Sequence, residues 1–232
     1  MKTILSFVVV ACWSLRLTAA DTTPKEALVS ASKNLGAKSN YSWKTSVEIP
    51  GEPTGTIEGK AEKDGAAVLA LARAERSFSG VLKGSKGAIK TEEGWKSLGD
   101  VAEDTAEDGA TRFVARLLQN FKAPPGEVAD LAGKATDLKL TDGVYAGGLN
   151  SDTVKELILF RSHSGNNPDM TGVKGSIKFW VKDGTLAKYE YNLQATISLN
   201  GNDREINRTH TTEITEVGST KVTVPDPAAK LL

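Results

Sequence analysis

Residues 175–199 read GSIKFWVKDGTLAKYEYNLQATISL, and the fold is decided there. Ile177, Phe179 and Val181 alternate with Lys178, Trp180 and Lys182 up to a turn at Asp183-Gly184. Ala187, Tyr189, Tyr191, Leu193, Ala195, Ile197 and Leu199 then alternate with Lys188, Glu190, Asn192, Gln194, Thr196 and Ser198. A period of two places successive side chains on opposite faces, so this is a hairpin of long antiparallel strands with one face buried and one solvated. The Thr-rich run Arg204 to Val217 follows Asn200-Gly201 and pairs back on it, and a short strand is expected over Lys221 to Val224.

The same signal recurs nearer the N-terminus. Tyr41, Trp43, Thr45, Val47 and Ile49 alternate with Ser42, Lys44, Ser46 and Glu48 until Pro50-Gly51. Turn pairs at Asp64-Gly65, Gly84-Ser85 and Glu93-Gly94 divide residues 54–98 into a meander of short strands. Ala66 to Ala72 is apolar in both registers, which predicts a strand covered on both faces. A further hairpin is expected over Thr136 to Leu149, turning at Asp142-Gly143.

Helical periodicity is confined to a few segments. Pro24 to Ala37 sets Ala27, Leu28, Ala31 and Leu35 on one side. Ala110, Phe113, Val114, Leu117, Leu118 and Phe121 give the clearest amphipathic helix, with Arg112, Arg116 and Gln119 on its polar face. Shorter helices are expected over Pro125 to Ala132 and Asp152 to Phe160, a surface loop over Asp100 to Asp108, and a polar loop over His163 to Thr171. The fold class is therefore α+β and mainly antiparallel β.

The N-terminus reads as an export signal. Lys2 precedes an apolar run from Ile4 to Trp13, and Thr18-Ala19-Ala20 offers a cleavage site before Asp21. Residues 1–20 are then a signal peptide and residues 21–232 a single domain, periplasmic or secreted. The competing reading takes Val9-Val10-Ala11-Cys12 as a lipobox and anchors the protein to a membrane through Cys12. No other segment approaches the about 20 apolar residues of a membrane helix. Without Lys2 and Arg16 the chain keeps 27 basic and 29 acidic residues, a net charge of −2, which gives no electrostatic case for nucleic acid or an anionic membrane surface.

Composition also narrows the chemistry. Cys12 is the one cysteine, and His163 and His210 are the two histidines. No zinc cluster of ordinary make-up follows from such a set, and no phosphate loop or nucleophile elbow is present, so neither cofactor nor enzyme is expected. Asn40-Tyr41-Ser42 and Asn207-Arg208-Thr209 fit the glycosylation pattern, one that arises readily by chance.

The order of these pieces resembles a known family. A leading helix, the strand Tyr41-Ser42-Trp43-Lys44, a meander, central helices, the hairpin at Gly175 to Gly184 and an ending on Val222-Thr223-Val224-Pro225 look like the LolA-like superfamily. That superfamily comprises periplasmic lipoprotein carriers and LppX-type lipid-carrier lipoproteins. The resemblance implies a curved, unclosed half-barrel sheet, capped by amphipathic helices on its concave side, that holds a hydrophobic ligand. That ligand would be a lipid or the acyl chain of a lipoprotein. The lining expected from the apolar faces is Trp43, Val47, Phe78, Phe113, Leu117, Phe179 and Tyr191. The expected partners are a lipid or acylated lipoprotein and an envelope protein, with the membrane touched peripherally or through Cys12. The alternative is a sensor or interaction module of the envelope with a closed core. No single position stands out as the strand arginine that lipoprotein carriers use. If the leader is cleaved at Ala20, N-terminal sequencing of the exported protein will begin at Asp21; a mature chain beginning at an acylated Cys12 would reverse that assignment.

Overall fold

The structure is a computed structural model, and it describes residues 22–159, 168–199 and 202–232. The proposed signal peptide, Cys12, Phe160 and His163 lie outside the described residues. The strands are β1 (Asn40–Glu48), β2 (Gly55–Glu62), β3 (Ala67–Arg73), β4 (Arg76–Lys83), β5 (Lys86–Thr91), β6 (Gly94–Ser97), β7 (Ala135–Thr141), β8 (Val144–Leu149), β9 (Asp169–Lys182), β10 (Thr185–Leu199) and β11 (Asn202–Thr215). The helices are α1 (Pro24–Gly36), α2 (Leu98–Glu103), α3 (Gly109–Gln119), α4 (Pro124–Lys134), α5 (Ser151–Ile158) and α6 (Asp226–Ala229).

All eleven strands form one antiparallel sheet in the order β6-β5-β4-β3-β2-β1-β11-β10-β9-β8-β7. The two ends of this order do not meet, so the sheet is an unclosed half-barrel, as the family resemblance implies. β11 closes the gap between the two meanders by pairing with β1, Trp43 opposite Ile214 and Val47 opposite His210. On β10 every second residue from Tyr189 to Ile197 is buried, which is the alternation read in the sequence.

Helices α1 to α5 cover one face, and the main core lies between them and the sheet. They seat closely because the sheet is notched by glycine. A Cβ on Gly59 would stand 2.0 Å from the Trp43 indole, and one on Gly80 would stand 2.6 Å from Leu118 of α3. On the opposite face Val224, Ala228 and Leu231 pack on Ala66, Val68, Val81 and Trp95 as a second, smaller core.

Several local expectations are corrected. Residues 98–103 are helical rather than loop: the Ser97 hydroxyl accepts from the Asp100 amide, and Leu98, Val101 and Ala102 are buried beneath the acidic surface residues. Residues 221–224 form no strand, because this segment crosses the outer face instead of joining a sheet edge, and residues 226–229 make a helical turn. β9 begins at Asp169, inside the stretch read as polar loop. The two-sided cover expected over Ala66 to Ala72 holds at Ala66 and Val68, whereas Ala70 and Ala72 are exposed on the outer face.

Replacing Gly59 with Ala is expected to cost about 1–3 kcal/mol through overpacking against Trp43. Gly133→Ala in α4, where an added Cβ meets nothing within 4 Å, is expected to be neutral or stabilising. Denaturant unfolding of both variants checks the contrast, and equal stabilities would show that the notch does not seat the indole.

Candidate functional site

The strand registers line up side chains in rows across the inner face. One row runs Gly80, Leu69, Gly59, Trp43, Ile214. The next, towards the β1–β2 turn, runs Phe78, Leu71, Ile57, Thr45, Thr212, Tyr189. Beyond it come Val47, His210, Tyr191 and Ile177, and then Arg208 and Leu193. Gly55 leaves room between Val47 and the Arg73 side chain, so Arg73 borders the same row.

Over these rows lie the helices. The buried face of α3 is Thr111, Val114, Ala115 and Leu118. Its supposed polar face is turned to α2, where Arg116 Nη2 donates to the Ala102 carbonyl at 3.0 Å and Gln119 Nε2 to the Leu98 carbonyl at 3.3 Å. These bonds fix the rotation of α3 and tip its apolar stripe outwards. Leu117 is half-buried and Phe113 is 52% exposed, although both belong to the apolar face read from sequence. Asp108 caps the helix, its Oδ1 accepting from the Ala110 amide at 2.9 Å.

The seven predicted lining residues divide into two groups. Trp43, Phe179 and Tyr191 are buried core, with Trp43 stacked on Phe121 at 6.2 Å between ring centroids. Val47, near the β1–β2 turn, Phe78, near the β3–β4 turn, and Leu117 of α3 are half-buried, and Phe113 is exposed. At the other end of α3 a cleft of about 380 Å³ opens between α2, α3 and the β4–β5 hairpin, walled by Leu82, Leu98, Leu118 and Phe121 with Lys86 among its rim residues.

The middle of the inner face is polar. Tyr189 Oη donates to Glu127 of α4, and Tyr191 Oη donates to the same carboxylate at 3.2 Å. Thr45 and Thr212 share a hydroxyl hydrogen bond of 2.8 Å. His210 lies flat on Tyr191, centroids 4.6 Å apart and planes 12° from parallel. Arg208 Nη2 donates to the Leu157 carbonyl at 2.8 Å, tying β11 to α5. Burial pushes the Glu127 carboxyl up, an effect the two tyrosine hydroxyls oppose. Burial likewise raises both tyrosines and, with the Arg208 charge adding to it, brings His210 down to about 3.

Sequence reading missed Glu127, Arg208 and the setting of His210. Tyr189 and Tyr191 were assigned to the buried face, and the one available signal was that two buried phenols require partners. Arg208 is buried on β11, a placement that no local pattern had singled out, since it stands among Thr and Asn in a run that looks solvated. Among the described residues no three His, Cys, Asp or Glu side chains cluster as a metal site, and no helix is long and apolar enough to cross a membrane.

Fold and site together define a class by architecture: an antiparallel half-barrel with helices on its inner face and an end that is apolar and cationic together. In solved structures the chain is similar to LprF from Mycobacterium bovis, with 12% identity and a TM-score of 0.42 over 88% of this chain and 97% of that one. It is also similar to the LolA superfamily protein NE2245 from Nitrosomonas europaea, with 8% identity and a TM-score of 0.34 over 88% of this chain and 96% of that one. No family model and no curated sequence matches the chain.

The His210 environment has a measurable consequence. Its pKa of about 3 in the folded protein lies below the unfolded value of 6.5, so the unfolded chain binds the proton more tightly. Stability from this group is complete above pH 6.5 and falls as pH drops towards 3, by about 1.4 kcal/mol per pH unit. Glu127 carries the opposite sign, because a raised carboxyl contributes at low pH and loses that contribution as pH climbs above 4.5. His210→Phe, which keeps the stacking, is expected to flatten the stability loss between pH 6.5 and 4.5 in denaturant titrations. An acid limb as steep as in the parent protein would contradict the assignment.

Proposed function

We propose that this is an exported envelope protein that binds a hydrophobic ligand, a lipid or the acyl chain of a lipoprotein, between α3 and the inner face of the half-barrel. The observation that carries this reading is the outward tilt of the α3 stripe. Phe113 and Leu117 face the open end of an unclosed sheet that offers Phe78 and Val47 in return. An exposed apolar patch in a polar setting marks a binding surface more often than an accident of folding.

α3 is the part of the cover beneath which the ligand would lie. At 11 residues it is about 16 Å long, and a chain lying beneath it would run from Phe78 to the cleft at Leu82 and Phe121. That cleft falls within the about 300–1,000 Å³ of ordinary ligand pockets. Each methylene buried there contributes about 0.8 kcal/mol, so several carbons suffice without any charged anchor. Trp43, Phe179 and Tyr191 then form the firm wall of the site, and Val47, Phe78, Phe113 and Leu117 its yielding side. The leader read from the sequence would deliver the chain to the envelope.

A second reading is a non-enzymatic sensor or interaction module with a closed core. The observation that favours it is the polar tie of Glu127 to Tyr189 and Tyr191, which fastens α4 to the sheet and fills the centre. Mass spectrometry of organic extracts from protein purified out of a lipid-containing host separates the two. Bound lipid is expected, and Phe113→Glu is expected to remove it without lowering the melting temperature, since the side chain is half exposed. Extracts free of lipid, with no uptake of a hydrophobic fluorescent probe, would leave the closed-core module.

A further inference from the structure

We infer that the open end of the half-barrel recognises the anionic head of its amphiphile, with the acid group hydrogen-bonded to His210 between Arg208 and Arg73 and the chain lying over Val47 and Phe78. This rests on the acyl-binding reading above and adds what the ligand must carry at its polar end.

The imidazole is the starting point. His210 is nine-tenths buried, and its Nε2 has no hydrogen-bond partner among the described residues. A buried polar atom left in that condition is costly and uncommon in a settled core. The ring cannot swing out to meet water, because it is stacked on Tyr191 and its strand neighbours on both sides hold it in register. Val47 stands directly opposite on β1 and offers it no polar atom.

Arginines outnumber carboxylates around it. Arg208 precedes His210 by two residues on the same face of β11, and Arg73 is close enough to act on Arg208 electrostatically. Arg204 stands two steps further along the same face of β11, beyond Ile206, and Arg76 lies at the β3–β4 turn. The carboxylates nearby are already engaged: Glu52 of the β1–β2 turn binds Arg73 and Arg204, and Asp108 lies 3.7 Å from Arg76. Glu127 lies on the far side of Tyr191, held by the two phenols. Glu52 shows that this rim accepts a carboxylate, and a second one placed deeper would meet the His210 N–H and the Arg208 charge in a partly dehydrated setting. An acid head gains from both groups, whereas a neutral ester head gains only the hydrogen bond.

Competition against a fluorescent polyene fatty acid tests this with full-length mature protein. Palmitate and hexadecyl phosphate are expected to bind at least about tenfold more tightly than methyl palmitate, the factor that one charge-assisted hydrogen bond supplies. His210→Phe is expected to bring palmitate down to the affinity of the ester, and Arg73→Gln, at the exposed rim, to narrow the gap without altering stability. Acetate and inorganic phosphate are expected to compete only weakly, since they lack the chain. Equal binding of acid and ester by the parent protein would overturn the inference while sparing the acyl-binding reading, as would a preference that survives both substitutions. Binding of acetate or phosphate as tight as palmitate would overturn the role of the chain, and binding of no lipid at all would remove both readings.

Discussion

An antiparallel sheet that does not close leaves one whole face to be covered, and every helix of the main core is placed by that need. Covering works only if the helices come close, and closeness here depends on missing side chains. Trp43 lies over Gly59, Leu118 over Gly80, and Val154 of α5 over Gly175, each at a distance that a Cβ would forbid. The bulk supplied by one strand or helix thus fits a notch supplied by its neighbour. Interiors at crystal-like density are built in this way, and it makes the centre of the cover rigid.

Rigidity is not uniform along the half-barrel. At the centre, Glu127 joins α4 to two tyrosines of β10, and Thr45 joins Thr212 across β1 and β11. Such a network is stable only when its members are satisfied, and most of these are. Towards the β1–β2 turn the satisfaction ends at His210; Val47 opposite it is half-buried, whereas Leu193, Ala195 and Ile197 of β10 stay buried. The hydrogen bonds that hold α3 run sideways to α2 through Arg116 and Gln119. α3 is thus held twice, by these bonds to α2 and by Leu118 seated over Gly80.

Much of the wall was legible in the sequence because strand alternation is a local property. Tyr189 to Ile197 and Tyr41 to Val47 declare which side chains share a face, and turn pairs such as Asp183-Gly184 declare where strands reverse. The cover was less legible. Leu98 to Glu103 looked like a loop because its acidic residues mask three buried apolar ones. Phe113 is exposed although it belongs to the apolar stripe, while α3 is tied through Arg116 and Gln119 to α2, a helix the pattern did not reveal. Glu127 and its partner Tyr189 are 62 positions apart, and nothing local pairs them.

The sequence by itself determined the antiparallel wall, its buried face and the helices suited to cover it, since each follows from the spacing of apolar residues within one segment. Only the tertiary structure decided how β11 joins the two meanders, which side of α3 faces outwards, and that a histidine with an unmet ring nitrogen stands between arginines at the open end. Those outcomes depend on side chains from distant segments competing for the same space and the same hydrogen bonds, and no single segment carries that information.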